Sequence, residues 1–156
     1  MLKDDRGNTA VIFALLLPVI LLFFAVVLDL GNVLLIKRQL QATADAAALA
    51  GVDAFEFVTT SDLDNPVEIT LNMAEVNKEI ENVIAVYTDN YDFIERGIDV
   101  EATSWPIGNI QDNISVALGV ELIGTFPTLL VGYFIEMQSE ITLTVESNSE
   151  ISIVWP

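Results

Sequence analysis

The chain has 156 residues, with 23 Asp and Glu against six Lys and Arg, a formal net charge of −17, and it contains neither His nor Cys. Its length allows one domain and an appendage, and 53% hydrophobic residues exclude an intrinsically disordered chain. The missing Cys and His exclude disulfides, thiolate or imidazole metal sites, a cysteine nucleophile and a Ser-His-Asp triad. The negative charge argues against nucleic acid as a partner, because phosphates would be repelled. A membrane or structural protein remains.

The charge is unevenly distributed. Residues 1–38 carry four basic and three acidic residues, a net charge of +1. Residues 39–156 carry two basic and 20 acidic residues, a net charge of −18. We therefore expect a nearly neutral, apolar first part joined to a well-solvated acidic second part, which avoids anionic surfaces.

The first part contains an uncharged run, Ala10 to Leu28, that is long enough to cross a membrane. As a helix it spans about 28 Å, close to the thickness of the hydrocarbon layer. Pro18 lies within it and is tolerated in membrane helices. The alternatives are a buried soluble helix and a cleavable signal. The latter is disfavoured because the A-x-A sequence at residues 48–50 begins 20 residues after the run ends.

Apolar spacing of three and four residues continues beyond Asp29 and predicts an amphipathic extension that stops near Gly51. One continuous helix from Asn8 to Gly51 follows. Within its second half, the stretch ATADAAALAG at residues 42–51 is rich in small residues, which allow another helix or a sheet to approach closely. The alternative is that alanine is simply a good helix former.

Residues 53–156 predict a small acidic domain, so the expected fold class is α+β: a long membrane-spanning helix continuing into a pilin-like domain with a helix and antiparallel strands. The predicted elements are a loop over 53–66, a helix from Met73 to Ile94 ended by Gly97, a strand from Ile114 to Val120, a buried short helix or turn over Phe126–Phe134, and alternating residues 141–155. These last residues fit a strand pair broken at Ser147–Ser149 or one long bent strand.

Candidate binding residues are few. Asp62 and Asp64, with Glu68 nearby, offer oxygen ligands to calcium, but they lack the spacing of an EF-hand and a solvated acidic loop is the favoured interpretation. Asp29 marks the membrane interface or contacts a partner helix. The aromatic residues Tyr87, Tyr91 and Trp105 are interpreted as core or rim residues and not as a ligand platform.

The N-terminal segment resembles Tad-like (tight adherence) pilus-assembly proteins of the TadE/TadG type. The shared features are Arg6-Gly7 before the apolar run, Ala14 and Pro18 within FALLLP, Asp29-Leu30-Gly31, and Gln39-Leu40-Gln41 leading into Ala44–Gly51. A weaker likeness to short family members covers Ile114–Val120, Phe126–Thr128 and Ile141–Val145. The resemblance implies a single-pass inner-membrane protein of a machine that assembles adhesive pili.

The predicted elements also suggest an organisation of the chain. Residues 1–9 would be a short cytoplasmic leader, 10–28 the transmembrane helix, 29–52 its amphipathic continuation and 53–156 an acidic domain outside the cytoplasm. Some relatives are processed after a Gly like prepilins, so the candidate site is Gly7-Asn8. The Glu those relatives carry five residues after that Gly is replaced by Ile12. The metal motif of larger relatives, D-x-S-x-S, is absent from this sequence.

Two functions are therefore expected as alternatives: a membrane-anchored assembly component or minor pilin-like subunit, or the main subunit of an extracellular filament whose apolar helices bundle into its core. The expected partners are the lipid bilayer, other pilus-assembly or pilin subunits and further copies of the chain, with no nucleic acid, cofactor, metal or catalytic residue. The candidate helix-packing residues are Pro18, Asp29, Gly31, Ala44, Ala47, Ala48 and Gly51.

Overall fold

The computed structural model describes residues 6–59, 67–70, 72–107, 115–128 and 140–152. Within these residues the chain is an α+β protein with two helices, a two-stranded hairpin and a three-stranded antiparallel sheet. The elements are α1 (Arg6–Asp53), β1 (Glu56–Thr59), β2 (Val67–Thr70), α2 (Met73–Asn90), β3 (Asp99–Ile107), β4 (Ser115–Pro127) and β5 (Glu140–Ser152). The predicted fold class, a long apolar helix followed by a small α+β domain, is confirmed.

The helix α1 runs without interruption over 48 residues, so the predicted continuous helix is confirmed. Pro18 lies inside α1. At the other end, the Ala54 N–H donates to the Ala50 carbonyl at 3.2 Å and the Phe55 N–H donates to the Val52 carbonyl at 3.1 Å. These bonds satisfy carbonyl groups that the last turn leaves without helical partners. Gly51, predicted to stop the helix, therefore lies inside its last turn.

The prediction of a loop over residues 53–66 is wrong in part. Strand β1 pairs with β2 in antiparallel register, with Glu56 opposite Thr70 and Thr59 opposite Val67. The sequences EFVT and VEIT are rich in β-branched and aromatic residues, which favour strands. Four residues are too few to show a clear periodicity, so the hairpin was not predicted.

Helix α2 ends at Asn90, and not at Gly97 as predicted. A tight series of turns follows, in which Asp92 and Gly97 have φ values of 52° and 69°. Both values lie in the left-handed region, which interrupts a right-handed helix. The turns bury Phe93 completely. The Ile98 N–H then donates to the Phe93 carbonyl at 2.8 Å and starts the approach to β3.

The sheet has the order β3-β4-β5, and β3 was missing from the prediction. Strand β3 pairs with β4 from Asp99 opposite Thr125 to Ile107 opposite Ala117. Its exposure does not alternate regularly, which explains why the sequence pattern gave no signal. Strand β4 includes Phe126 and Pro127, so this part of the predicted helix or turn is extended instead. Ile114 and residues 129–134 lie outside the described residues.

Strand β5 is one strand of 13 residues, so one long strand, and not a strand pair, is the correct alternative. Even-numbered residues from 140 to 150 are exposed, whereas odd-numbered residues from 141 to 149 are buried or half-buried. The predicted alternation is therefore confirmed over this range. Residues 153–156 lie outside the described part of the chain.

Two compact units make up the chain: the first contains Met1–Ile36 and Pro127–Ile141, and the second contains Lys37–Phe126 and Thr142–Pro156. The second unit thus takes in the end of α1. Its hydrophobic core joins α1, α2, the turns after α2 and β4. Among the described residues of this unit, the fully buried large apolar side chains are Leu40, Val52, Val76, Phe93, Leu118, Val120 and Leu122.

Candidate membrane-spanning and packing surfaces

The first part of α1 exposes its large apolar side chains to its surroundings. From Val11 to Leu28, every Val, Ile, Leu and Phe is at least 40% exposed. Among the described residues, α1 is one helix long and apolar enough to cross a membrane, although a signal sequence has the same properties. A buried soluble helix would show the opposite exposures. An apolar surface of this extent marks a membrane or protein contact.

A covered stripe runs along one side of α1 from Ala25 to Val52. Its members recur at spacings of three, four or seven residues, which are one or two helical turns, so they lie on one face of the helix. The buried members are Ala25, Asp29, Ile36, Leu40, Thr43, Ala44, Ala47, Ala48, Gly51 and Val52. Asp29 is only 8% exposed and has an interaction partner within the chain. Its carboxylate therefore lies on the protected side of the helix, and the exposed side of the same turn is left apolar.

Two glycines allow the end of α1 to approach the rest of its unit closely. A Cβ at Gly51 would overlap Leu118 of β4 and would come within 3.1 Å of Ile80 of α2. A Cβ at Gly124 would lie 2.5 Å from the Leu40 Cδ1 atom. Leu40 lies beside Gly124, and Gly51, later in α1, lies beside Leu118, earlier in β4. The end of α1 therefore runs antiparallel to β4.

Polar contacts hold this arrangement at the edges of the core. The Gln41 amide donates to the Glu146 carbonyl at 3.2 Å and to the Asp45 carboxylate at 2.9 Å. The half-buried Arg96 Nη1 atom donates to the Gln39 Oε1 atom at 2.8 Å. Sequence reasoning missed this last contact. Its signal is that Arg96 is one of only two basic residues after residue 38.

The predicted helix-packing residues thus separate into two groups. Ala44, Ala47 and Ala48 are completely buried in the chain itself, and Gly51 packs on α2 and β4. The small residues of this strip therefore serve a contact within the unit. Pro18 and Gly31 lie on the exposed surface of α1, and a Cβ at Gly31 would meet no atom within 4 Å. Whether any of these residues contacts another subunit stays a prediction.

The outer face of the sheet carries a tryptophan over a glycine. Trp105 lies opposite Gly119, and a Cβ at Gly119 would be 2.5 Å from the Trp105 indole. An aromatic ring over a strand glycine covers backbone that the missing side chain leaves bare. Tyr87 and Tyr91 lie 5.7 Å apart between ring centroids, in an edge arrangement. All three are half-buried, which fits core or rim residues.

The described residues offer little catalytic chemistry. No group of three or more acidic residues there could hold a metal ion. Of the calcium candidates, Asp62 and Asp64 lie outside the described residues, and Glu68 lies in β2. A groove of about 540 Å³ between α2 and β3 is lined by apolar residues, Glu81 and the hydroxyl side chains Thr103 and Ser104. A 2.8 Å hydrogen bond joins Ser104 to Asn77 beside it.

The candidate processing site, Gly7-Asn8, lies in the first turn of α1. Cleavage of the peptide bond between these two residues stays a prediction.

These features together define a class: an α+β protein whose long helix presents a membrane-compatible apolar surface and is fixed at its other end to a small acidic domain. The model of one protein family, described as "Putative Flp pilus-assembly TadE/G-like" (Tad), matches residues 7–54, less than a third of the chain. The match covers nearly all of α1 and confirms that this segment is Tad-like. It links the chain to the assembly of Flp pili, the task for which the family is described. No curated protein and no solved structure gives a significant match.

Proposed function

We propose that the chain is a membrane-anchored component, or minor pilin-like subunit, of a Tad-type pilus assembly machine. It acts through helix–helix and domain contacts and has no catalytic centre. The observation that carries this proposal is the exposed apolar surface of α1, which coincides with the Tad-like segment. Such a surface is stable only when lipid or other apolar helices cover it.

The proposed position is the inner membrane, with a short cytoplasmic leader and the acidic domain outside the cytoplasm. The 19 uncharged residues from Ala10 to Leu28 match the thickness of the hydrocarbon layer. The net charge of −18 after residue 38 keeps the domain in water and away from anionic headgroups. Lipid and other pilus subunits are therefore the proposed partners.

The alternative is a main structural subunit of an extracellular filament. The apolar side chains of residues 11–24 surround the helix on all sides, and neighbouring copies in a helical bundle could bury them as well as lipid does. In either case, contacts between subunits are expected on the first half of α1, because the chain already covers the small-residue strip of the second half.

Cell fractionation with a matched pair of variants tests the proposal. Leu21→Lys places a charge on the apolar surface, and Leu49→Lys places the same charge on an equally exposed Leu of the same helix, 50% and 57% exposed respectively. We expect native protein and the Leu49 variant in membranes after an alkaline wash, and the Leu21 variant lost from them, because a lysine is strongly unfavourable inside lipid.

Two results would contradict the proposed role. Recovery of the native chain mainly in sheared surface filaments would favour the filament subunit. Recovery in soluble fractions, with an N-terminus near Gly51 found by intact-mass measurement, would show that α1 acts as a signal sequence.

A further inference from the structure

We infer that Lys37 and Arg38 form a binding site for anionic phospholipid headgroups, at the true end of the membrane-facing surface of α1. The inference rests on the proposed membrane insertion of α1. It adds the depth at which the helix lies in the bilayer and the ligand that binds at the end of its membrane-facing surface. The uncharged run ends at Leu28, and from sequence this residue marks the edge of the hydrocarbon layer. The exposures in the structure place that edge about two turns farther along the helix.

The turns after Leu28 remain apolar on their exposed side. Leu30, Leu34 and Leu35 are 58%, 54% and 50% exposed. The polar residues of these turns lie on the covered stripe: Asp29 is buried and Asn32 is half-buried, and each has an interaction partner within the chain. The polar side chains that would oppose insertion of this segment are therefore turned away from the lipid-facing side.

The length of this surface also fits. From Val11 to Leu35 the helix rises about 36 Å, which exceeds a hydrocarbon layer of about 30 Å. Tilting by an angle within the range seen for membrane helices accommodates the excess. All the apolar side chains are then covered, and the hydrocarbon edge falls at Leu35.

Lys37 and Arg38 follow directly and are both exposed. At this register their long side chains reach the phosphate layer, where cationic groups are favoured. Lys78 and Arg96 are the only basic residues after this pair, so the pair provides the positive charge at this end of the membrane-facing surface. That charge complements the headgroup of an anionic phospholipid, which we assign as the ligand, whereas the acidic domain beyond the pair stays in water.

The depth of α1 in a bilayer can be measured on the full chain, because it has no Cys and single cysteines can be labelled selectively. Nitroxide labels at Leu28→Cys, Leu34→Cys and Leu49→Cys are compared in phosphatidylcholine vesicles containing 30% phosphatidylglycerol. We expect the labels at 28 and 34 to be accessible to oxygen and shielded from a water-soluble relaxing agent, and the label at 49 to be in water. A shielded label at 28 with a wetted label at 34 would overturn the lipid site and leave the proposed function intact. A wetted label at 28 would overturn both.

Headgroup preference is measured on the same chain by native mass spectrometry, as the ratio of phosphatidylglycerol to phosphatidylcholine retained. A cation near an anionic surface contributes about 1 kcal/mol of attraction, which corresponds to a factor of about five in affinity. We therefore expect Lys37→Gln and Arg38→Gln each to lower this ratio about fivefold. Lys78→Gln, the matched loss of charge on α2, should leave it unchanged. An unchanged ratio in the Lys37 and Arg38 variants, or an equal loss in all three, would overturn the inference.

Discussion

Gly51 is the position where the structure makes the sharpest prediction about stability. Gly51→Ala gains about 0.5–1 kcal/mol from the better helix propensity of alanine and the reduced freedom of the unfolded chain. Against this, the new methyl group overlaps Leu118 and crowds Ile80, and overpacking of a core costs about 1–3 kcal/mol. Leu118 is completely buried and Ile80 is 3% exposed, so neither can turn away without disturbing other neighbours. We expect a net loss of about 1 kcal/mol, a factor of about five in the unfolding equilibrium.

The matched control is Gly31→Ala, in the same helix and with no atom within 4 Å of the added Cβ. This variant should leave the unfolding of the acidic domain unchanged. Both are measured on the full chain in mild detergent by guanidinium titration, followed by tryptophan fluorescence and circular dichroism. The reasoning is refuted if Gly51→Ala is as stable as, or more stable than, Gly31→Ala.

Three further substitutions probe the same unit by the same titration. Ala47→Leu should destabilise the unit by about 1–3 kcal/mol through overpacking, because Ala47 is completely buried. The control Ala74→Leu, on the exposed side of α2, should have little effect. Equal stability of the two variants would contradict the burial of Ala47. Arg96→Gln should cost about 1 kcal/mol by removing the hydrogen bond to Gln39, and no loss would mean that water replaces it fully. Gly119→Val should displace the paired indole and shift the tryptophan emission, so an unchanged spectrum would contradict that contact.

The sequence by itself determined the features that depend on neighbours along the chain. The uncharged run from Ala10 to Leu28 and the three-and-four spacing after Asp29 predicted one long helix, because helical contacts join residues within one turn. The alternation from Glu140 to Glu150 predicted a half-buried strand, because side chains on a strand point alternately to its two faces. The motifs of α1 also sufficed for the Tad-like resemblance, which the family match confirms.

Only the tertiary structure decided which partner each face meets. Strand β3 was missed because the edge of the sheet gives it no regular burial pattern, and α2 was predicted too long because its apolar spacing continues into turns that bury Phe93. From the sequence alone, the small-residue strip at Ala44–Gly51 was as compatible with packing on a partner helix as with packing within the chain. In the structure it packs on the chain's own core, since Leu118 and Ile80 occupy the space beside Gly51. Long-range packing of this kind depends on residues some 30 to 70 positions away, and no local pattern encodes it.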